Sequence, residues 1–313
     1  MTIKEALNWS TQRLQKIIDS EVAQTRGAEI GSAFLDSEVL LADALKKDRV
    51  YLLAHQGKSL TPLQKKKFET YVRQRIKRMP VAYIAGMKEF YGLTFNVNRN
   101  VLIPRPETEL LVDTVLKEIN YKLQTINYKL IDVGTGSGCI AIALAKNLPN
   151  KASILASDIS SKALSTAKKN AQRNGVANRI HFVNSDLLTQ ISTSYKLSAR
   201  GGPASSGQAT SSIFVANLPY LSYKQYFEAK KQYPELAYEP KSALVAKENG
   251  LREIKQLLFQ IKKYHIKHAI LFLEIDPSQA KPLKALAKKI LGDSRCVFQR
   301  DLSGRIRIAK VSL

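Results

Sequence analysis

The sequence predicts an α/β fold in which a helical segment precedes a mostly parallel sheet with helices on both faces. Residues 1–79 repeat apolar side chains at helical spacing, whereas the chain after Tyr128 alternates short apolar runs with helical stretches. Alternation of this kind is typical of doubly wound parallel sheets. The length of 313 residues suggests two domains.

Residues 1–85 are predicted to form the first domain, which is helical. Apolar side chains recur at helical spacing between Ile3 and Ile18 and again between Leu35 and Leu45. Thr61-Pro62 is a favourable start for a further helix, because proline is tolerated in the first helical turn. We expect that helix to run to Arg78.

The chain is strongly basic. Forty-nine Lys and Arg against 26 Asp and Glu give a formal net charge of +23. The predicted helix from Pro62 to Arg78 alone holds seven basic residues and one acid, Glu69. Such a field attracts polyanions such as nucleic acid. Lysines are nevertheless scattered through every segment, so a general compositional bias and a polyanionic partner both remain open.

Residues 86–104 are predicted to form a β-hairpin that links the two domains. Apolar residues alternate between Phe90 and Val101, and Gly92 is a turn residue. Pro106 then begins a helix at the start of the second domain, residues 105–313.

The second domain is predicted to contain the parallel sheet. Its predicted strands are 130–133, 154–157, 180–183, 213–216 and 269–275, with helices at 140–147, 161–174 and 250–263. Two further runs, 295–300 and 305–311, predict an antiparallel hairpin on that sheet. Residues 192–212 are small, polar and free of acids, which predicts a flexible surface insertion. The two cysteines lack metal-ligand spacing, and we expect both to be buried thiols.

A glycine-rich loop follows the first strand of this domain. Gly134, Gly136 and Gly138 alternate with Thr135 and Ser137 between a strand and a helix. Glycines in such a turn allow unusual backbone angles and close approach of a ligand. The same arrangement binds dinucleotides in Rossmann enzymes, so the pattern alone does not decide the cofactor.

Acidic residues follow the next two strands. Asp158 is placed to bind ribose hydroxyls, and Asp186 is placed to accept a hydrogen bond from an adenine amine. Both are compatible with an adenosine cofactor or with a nicotinamide dinucleotide. The decisive addition is the segment Asn217-Leu218-Pro219-Tyr220 after the fourth strand, which hydride transfer does not need. We therefore predict S-adenosylmethionine as the cofactor.

The same segment predicts methyl transfer to a planar nitrogen. Such a nitrogen is a poor nucleophile, but a methyl sulfonium is reactive enough when the nitrogen is held in line. The Asn217 side-chain oxygen and the Leu218 carbonyl would accept its two N–H groups and stabilise the developing positive charge. Pro219 would fix the backbone, and Tyr220 would pack against the planar group. An amide and a nucleobase amine both remain possible substrates.

These residues resemble the HemK/PrmC family of release-factor glutamine methyltransferases over nearly the whole chain. The matching residues are 80–86 with Phe90, 102–109, 132–138, 158–160, 163–164 with Ala167 and Asn170, 217–220, 239–240 with 243–244, 249–251 and 300–305. The stretch LIPRPETE at 102–109 is highly specific to that family. Leu218 stands where the family has a proline, and Glu274-Ile275-Asp276 replaces an ending in glycine.

The resemblance implies a Rossmann-like class I methyltransferase domain, a small N-terminal helical domain that docks a release factor, and a hairpin linker. It implies methylation of the glutamine side-chain amide in the Gly-Gly-Gln loop of class I peptide release factors. Residues 134–138, Asp158, Asp186, Leu187 and Asn217 would then bind the cofactor, and residues 217–220 would hold the glutamine.

An alternative substrate follows from the acceptor segment. Asn-Leu-Pro-Tyr is also similar to the motif of ribosomal RNA adenine dimethyltransferases, so methylation of an adenine amine in RNA or DNA is the second hypothesis. We further expect a cytoplasmic monomer without a signal peptide, membrane span or metal, which comes transiently close to RNA or the ribosome.

Overall fold

The computed structural model describes residues 1–22, 33–122, 128–149, 153–194 and 211–313. The helices are α1 (Ile3–Val22), α2 (Ala33–Leu45), α3 (Arg49–Ala54), α4 (Pro62–Ile76), α5 (Val81–Ala85), α6 (Glu109–Lys122), α7 (Cys139–Asn147), α8 (Ser161–Arg173), α9 (Thr189–Ser194), α10 (Tyr223–Gln232), α11 (Lys241–Leu244), α12 (Lys247–Gly250), α13 (Arg252–Lys263) and α14 (Ala280–Leu291). The strands are β1 (Met87–Phe90), β2 (Leu93–Asn96), β3 (Tyr128–Val133), β4 (Ile154–Asp158), β5 (Ile180–Asn184), β6 (Ser211–Ala216), β7 (Ala269–Glu274), β8 (Arg295–Arg300) and β9 (Ile306–Ser312).

The chain divides into two compact units. The smaller unit comprises Met1–Met87 together with Phe227–Tyr238, and the larger comprises Lys88–Tyr226 together with Glu239–Leu313. None of the helices among the described residues is long and apolar enough to cross a membrane.

The smaller unit is a helical bundle around an apolar core. Four side chains, one from each of the helices α1 to α4, are fully buried there: Ile3, Leu40, Leu52 and Phe68. Burial of each such side chain contributes about 1.5–3 kcal/mol before entropy is counted. The bundle is therefore stabilised by the apolar faces that the sequence spacing predicts.

The basic helix α4 has a well-defined start and end. Thr61 accepts a hydrogen bond from Gln64 N at 3.2 Å, and the Gln64 side chain accepts one from Thr61 N at 3.0 Å. This capping box satisfies backbone donors that the first turn leaves free. The helix ends at Ile76, two residues before the predicted end, because Arg78 has a φ of 65° in the left-handed region.

An ion-pair cluster ties residues 227–238 to the rest of the smaller unit. Arg75 Nε donates to Asp36 at 2.7 Å, and its Nη1 donates to Glu235 at 2.9 Å. Burial acts to lower the pKa of Arg75, but the charges and hydrogen bonds of the two carboxylates together outweigh it and raise that pKa. A buried guanidinium with two carboxylate partners tolerates little rearrangement, since removing one partner leaves charge uncompensated.

The larger unit contains a seven-stranded sheet in the order β5-β4-β3-β6-β7-β9-β8. The five strands β3 to β7 are parallel, and β9 runs antiparallel to both β7 and β8. The five predicted parallel strands and the C-terminal hairpin are confirmed. The α/β fold class is therefore also confirmed.

Helices cover both faces of this sheet. Along β6, Ile213 and Val215 pack in the cluster with α6 and α7, whereas Phe214 and Ala216 pack in the cluster with α13 and α14. This alternation follows from the two-residue period of a strand. The predicted elements include no helix between β7 and β8, where the structure has α14.

Strands β1 and β2 form the predicted hairpin. Tyr91 and Gly92 between them both have positive φ, which is the turn geometry that matches the twist of a hairpin. From Lys88 onward the hairpin belongs to the larger unit, and Phe90 and Phe95 pack edge to face at 6.0 Å within its core.

The predictions for the insertion and for the two cysteines have different outcomes. In the predicted insertion 192–212, residues 195–210 lie outside the described residues, whereas its ends belong to α9 and β6. The expectation of two buried thiols holds for Cys139 but is wrong for Cys296, which is half-exposed on β8. Strand β8 lies at the edge of the sheet, where side chains are covered less completely.

Candidate active site

The loop between β3 and α7 is shaped by its glycines. Gly134, Gly136 and Gly138 have φ values of 75°, 55° and 83°, a region that other residues enter at a cost. Gly134 N and Thr135 N both donate to Ser157 O at 2.8 Å, which ties the loop to the end of β4. The loop therefore keeps its shape through backbone bonds to the neighbouring strand.

A buried carboxylate is hydrogen-bonded to this loop and to the helix that follows it. Asp132 Oδ2 accepts hydrogen bonds from Thr135 Oγ1 at 2.6 Å and from Ala141 N at 3.2 Å. Burial raises the pKa of Asp132 to about 7, and its two hydrogen bonds act in the opposite direction. Asp132 thus connects the glycine loop to the first turn of α7.

Asp158 lies at the carboxyl end of β4, beside the glycine loop. Its Oδ2 accepts from Gly136 N at 2.9 Å, and its Oδ1 accepts from Ser160 N at 2.8 Å. Burial raises the pKa of Asp158, while these two backbone bonds lower it. Each carboxylate oxygen keeps a second lone pair that can accept from a hydroxyl group.

The end of β5 leads into a strained turn. Leu187 has a φ of 51°, which costs an L-residue roughly 1–2 kcal/mol, and Ser185 Oγ donates to its carbonyl at 2.8 Å. Gln260 on α13 accepts from Leu188 N at 2.7 Å. Strain of this kind is retained where the surroundings hold it, and it is common at ligand sites.

The acceptor segment leaves the carboxyl end of β6, next to β3 in the sheet. Tyr220 O accepts from Gln279 Nε2 at 3.3 Å, and the same nitrogen donates to Gly250 O at 2.8 Å. A Cβ placed on Gly250 would lie 1.9 Å from Tyr220 O. The backbone after Pro219 is therefore packed directly against Gly250, which leaves no room for a side chain there.

The side chain of Asn217 is held by a chain of polar contacts. Its Nδ2 donates to Thr108 Oγ1 at 3.0 Å, and Thr108 Oγ1 donates to Glu274 Oε2 at 2.7 Å. Tyr220 OH lies 3.5 Å from the other oxygen of Glu274. Burial, and then the Glu274 charge, raise the pKa of Tyr220 well above its ordinary value.

A single pocket brings most of these groups together. It has a volume of ≈ 440 Å³, within the range of about 300–1,000 Å³ that small-molecule sites occupy. The predicted residues that line it are Gly134, Thr135, Gly136, Ser137, Asp158, Asp186, Leu187, Asn217, Leu218 and Pro219. Most of the predicted cofactor and acceptor residues thus lie around one cavity.

Two residues of the predicted site lie outside the pocket lining. Gly138 packs against α7 and α8, where an added Cβ would lie 3.0 Å from Ile142 Cδ1 and 3.1 Å from Ala167 Cβ. Tyr220 lies beside Glu274, so its hydroxyl faces that carboxylate.

Sequence analysis assigned no role to several residues that hold the site. Thr108 is hydrogen-bonded to both Asn217 and Glu274, and Gln279 and Gly250 contact the Tyr220 carbonyl. Glu239 accepts from Ile103 N at 3.1 Å and from Arg105. An acid at the end of an apolar run was an available signal for Glu274, since the same signal identified Asp158.

The residues present fit an adenosine cofactor. A Cβ on Gly136 would meet no atom within 4 Å, so the space above the loop is open to a ligand. Asp158 offers carboxylate lone pairs at the pocket wall, where ribose hydroxyls are bound in related folds. Asp186 and Leu187 line the same wall and would border the adenine.

Comparison with known proteins gives two family matches. Residues 5–86 match a family described as the PrmC N-terminal domain, and residues 106–218 match the methyltransferase small domain. A release factor glutamine methyltransferase of Flavobacterium psychrophilum is 36% identical, with 95% of this chain and 98% of the relative covered. One from Rhodopirellula baltica is 32% identical, with 98% and 95% covered.

Some relatives are longer. A bifunctional methyltransferase of Rickettsia bellii is 31% identical over 96% of this chain, which spans 55% of that protein. Among solved structures, the hMettl16 catalytic domain in complex with an RNA hairpin has a TM-score of 0.51 and 19% identity. The match covers 82% of this chain and 84% of the hMettl16 chain, and it shows a similar fold.

Proposed function

Because the chain belongs to the release factor glutamine methyltransferase family, we propose that it methylates a glutamine side-chain amide. The acceptor is the glutamine of the Gly-Gly-Gln loop in class I peptide release factors, and S-adenosylmethionine is the methyl donor. The observation that carries this proposal is the orientation of Asn217. Its amide nitrogen is engaged by Thr108, so its oxygen remains to accept an N–H group at the pocket wall.

The cofactor would be held by the glycine loop and the two strand-end acids. Residues 134–137 and Asp158 would contact its methionine and ribose portions, and Asp186 with Leu187 would border the adenine. When bound, the cofactor supplies an electrophilic methyl group on a sulfonium. The glycines contribute by letting the backbone approach this ligand closely.

The chain's own part in the reaction is to bind and orient the amide. Asn217 Oδ1 and the Leu218 carbonyl would accept the two N–H groups, which favours the nitrogen lone pair pointing at the methyl group. Both acceptors also stabilise positive charge as it develops on the nitrogen. A strong general base is unnecessary, because a cationic amide loses its proton readily to water.

The helical unit would dock the protein substrate. Most basic residues of helix α4 in this unit are exposed or half-exposed. Such a surface suits recruitment of a larger partner by charge. The working division into 1–85, 86–104 and 105–313 assigns docking to the first part. The enzyme would act in the cytoplasm as a monomer, close to the translating ribosome.

One experiment tests the substrate. The protein is incubated with methyl-labelled S-adenosylmethionine and, separately, with a class I release factor, its Gln-to-Ala variant in the Gly-Gly-Gln loop, and ribosomal RNA. We expect label on the release factor and none on the variant. Label on RNA alone would replace the proposal with adenine methylation, the second hypothesis from the sequence. Label on the Gln-to-Ala variant would place the acceptor at another residue.

A further inference from the structure

Glu274 and Thr108 form a buried polar pair behind the acceptor segment. Glu274 ends β7 and is 3% exposed, and Thr108 precedes α6 and is 2% exposed. Buried carboxylates are costly, and they persist where hydrogen bonds offset part of that cost. Thr108 lines the pocket and Glu274 does not. The Thr108 hydroxyl lies between Glu274 and Asn217.

The direction of the hydrogen bonds in the series Asn217–Thr108–Glu274 is set by Glu274. An ionised carboxylate accepts hydrogen bonds and cannot donate them. Thr108 therefore uses its one hydroxyl proton on Glu274 Oε2, at 2.7 Å. Its oxygen can then only accept from Asn217, at 3.0 Å, so the amide must present its Nδ2 to Thr108.

The orientation of the Asn217 amide decides what the pocket can bind. Presented with its oxygen, Asn217 accepts an N–H group of the substrate. Turned by 180°, it would offer two N–H donors to a substrate nitrogen that also carries hydrogens. A donor facing a donor leaves both groups unsatisfied, which costs free energy in a desolvated pocket.

We propose that Thr108 and Glu274 are positioning residues that hold the Asn217 amide in the orientation required for methyl transfer. The relay runs from the carboxylate of Glu274 through the hydroxyl of Thr108 to the nitrogen of Asn217. This inference rests on the proposed function, since it explains how Asn217 receives a substrate N–H. It adds that two residues outside the acceptor segment determine whether Asn217 presents its oxygen or its nitrogen to the substrate.

The relay also responds to pH. Burial raises the pKa of Glu274 to about 7, and the bond from Thr108 opposes that rise. The charged or titratable groups facing it are Glu107, Arg307, Tyr220 and Cys139. Below that pKa the protonated carboxyl can donate to Thr108, and the direction of the relay is no longer imposed. Activity should therefore fall as the pH decreases through about 7.

The test compares Thr108→Val with Thr108→Ser. Valine has the shape of threonine without the hydroxyl, and serine keeps the hydroxyl. We expect kcat to fall about 30-fold for Thr108→Val and less than about threefold for Thr108→Ser. The dissociation constant of S-adenosylhomocysteine, measured by calorimetry, should change less than about twofold in both variants. Equal loss in the two variants, or wild-type kcat in Thr108→Val, would overturn the relay.

A second variant keeps the test decisive if Thr108→Val unfolds. In Glu274→Gln the carboxamide can donate as well as accept, so it imposes no direction on Thr108. We expect its kcat at pH 8 to be about tenfold below wild type and its pH profile to lack the decrease near 7. A structural role alone would lower stability and leave the shape of the profile unchanged, and that result would reject the proposal.

These measurements are made on whichever substrate the wild-type protein labels, release factor or ribosomal RNA. Both present an N–H group to Asn217, so the relay predicts the same ranking of variants for each. Failure of the release factor as substrate would therefore reject the proposed function while the ranking still decides the relay.

Discussion

The glycine loop after β3 and the acceptor segment after β6 lie at neighbouring strand ends but are held in different ways. The loop is shaped by positive φ angles and by backbone bonds to Ser157, all within one strand–helix–strand unit. The acceptor segment is held by Thr108, Gly250, Glu274 and Gln279, which come from four other parts of the chain. A short motif suffices for the first, whereas the second requires the assembled domain.

This difference predicts how the two regions respond to substitution. Changes in the loop should alter cofactor affinity, because the loop's shape does not depend on the acceptor side. Changes in the acceptor segment or its supports should alter kcat, because they move the groups that we propose to contact the substrate nitrogen.

The largest expected effect is on turnover in Asn217→Ala. Removing the acceptor oxygen takes away stabilisation of the developing charge, so we expect kcat to fall about 10³-fold. The affinity for S-adenosylhomocysteine, measured by calorimetry, should stay within about threefold of wild type. An equal loss of affinity would mean that Asn217 serves the cofactor as much as the substrate.

The second-largest effect is expected for Gly250→Ala, and a control variant distinguishes steric overlap from backbone strain as its cause. In Gly250→Ala the new Cβ would overlap Tyr220 O, so the acceptor backbone must move, and we expect kcat to fall about 100-fold. Stability should decrease by about 3 kcal/mol, measured by denaturant unfolding. Gly175→Ala is the matched control, because Gly175 also has positive φ, 68°, but has open space around it. We expect it to lose about 1 kcal/mol and no activity. Similar losses in both would remove the steric argument.

A smaller effect is expected on the cofactor side. Asp158→Asn loses a charge and one of the two oxygens that accept from Gly136 N and Ser160 N. We expect the dissociation constant of S-adenosylhomocysteine to rise about tenfold, and kcat at saturating cofactor to stay within about threefold. A decrease in kcat without a change in affinity would contradict the division between the two regions.

The smallest effect is expected where the family's proline is restored. In Leu218→Pro the main-chain carbonyl that we propose to accept the substrate N–H is retained, so kcat should change less than about threefold. Leu218→Ala is the comparison, because it removes a buried side chain and should cost about 2–3 kcal/mol of stability. A large decrease in kcat for Leu218→Pro would show that the leucine side chain matters for turnover.

The sequence predicted the fold and the glycine loop because their signals are local. Strand periodicity, the three glycines and the strand-end Asp158 are each visible within about 20 residues. The helix α14 carried a comparable signal in Leu283, Ala287 and Ile290, which are spaced at helical intervals and buried. This helix is therefore encoded as locally as the strands are.

The supports of the acceptor segment could not be predicted in this way. Thr108 and Glu274 are 166 residues apart, and Asn217 lies 109 residues from Thr108. No periodicity in a single sequence pairs such positions. The clash between a side chain at Gly250 and the Tyr220 carbonyl likewise exists only after both loops are folded.

The pairing of β3 with β6 limits how the enzyme can release its products. The two strands are joined from Tyr128 and Ser211 to Val133 and Ala216, immediately before the two loops. Leu218 packs over Gly134, where a Cβ would lie 3.0 Å from its Cδ2. The strand ends that carry the donor and acceptor loops are therefore held at a fixed spacing in the centre of the sheet. We therefore expect the spacing between the starts of the two half-sites to change little between substrate binding and product release.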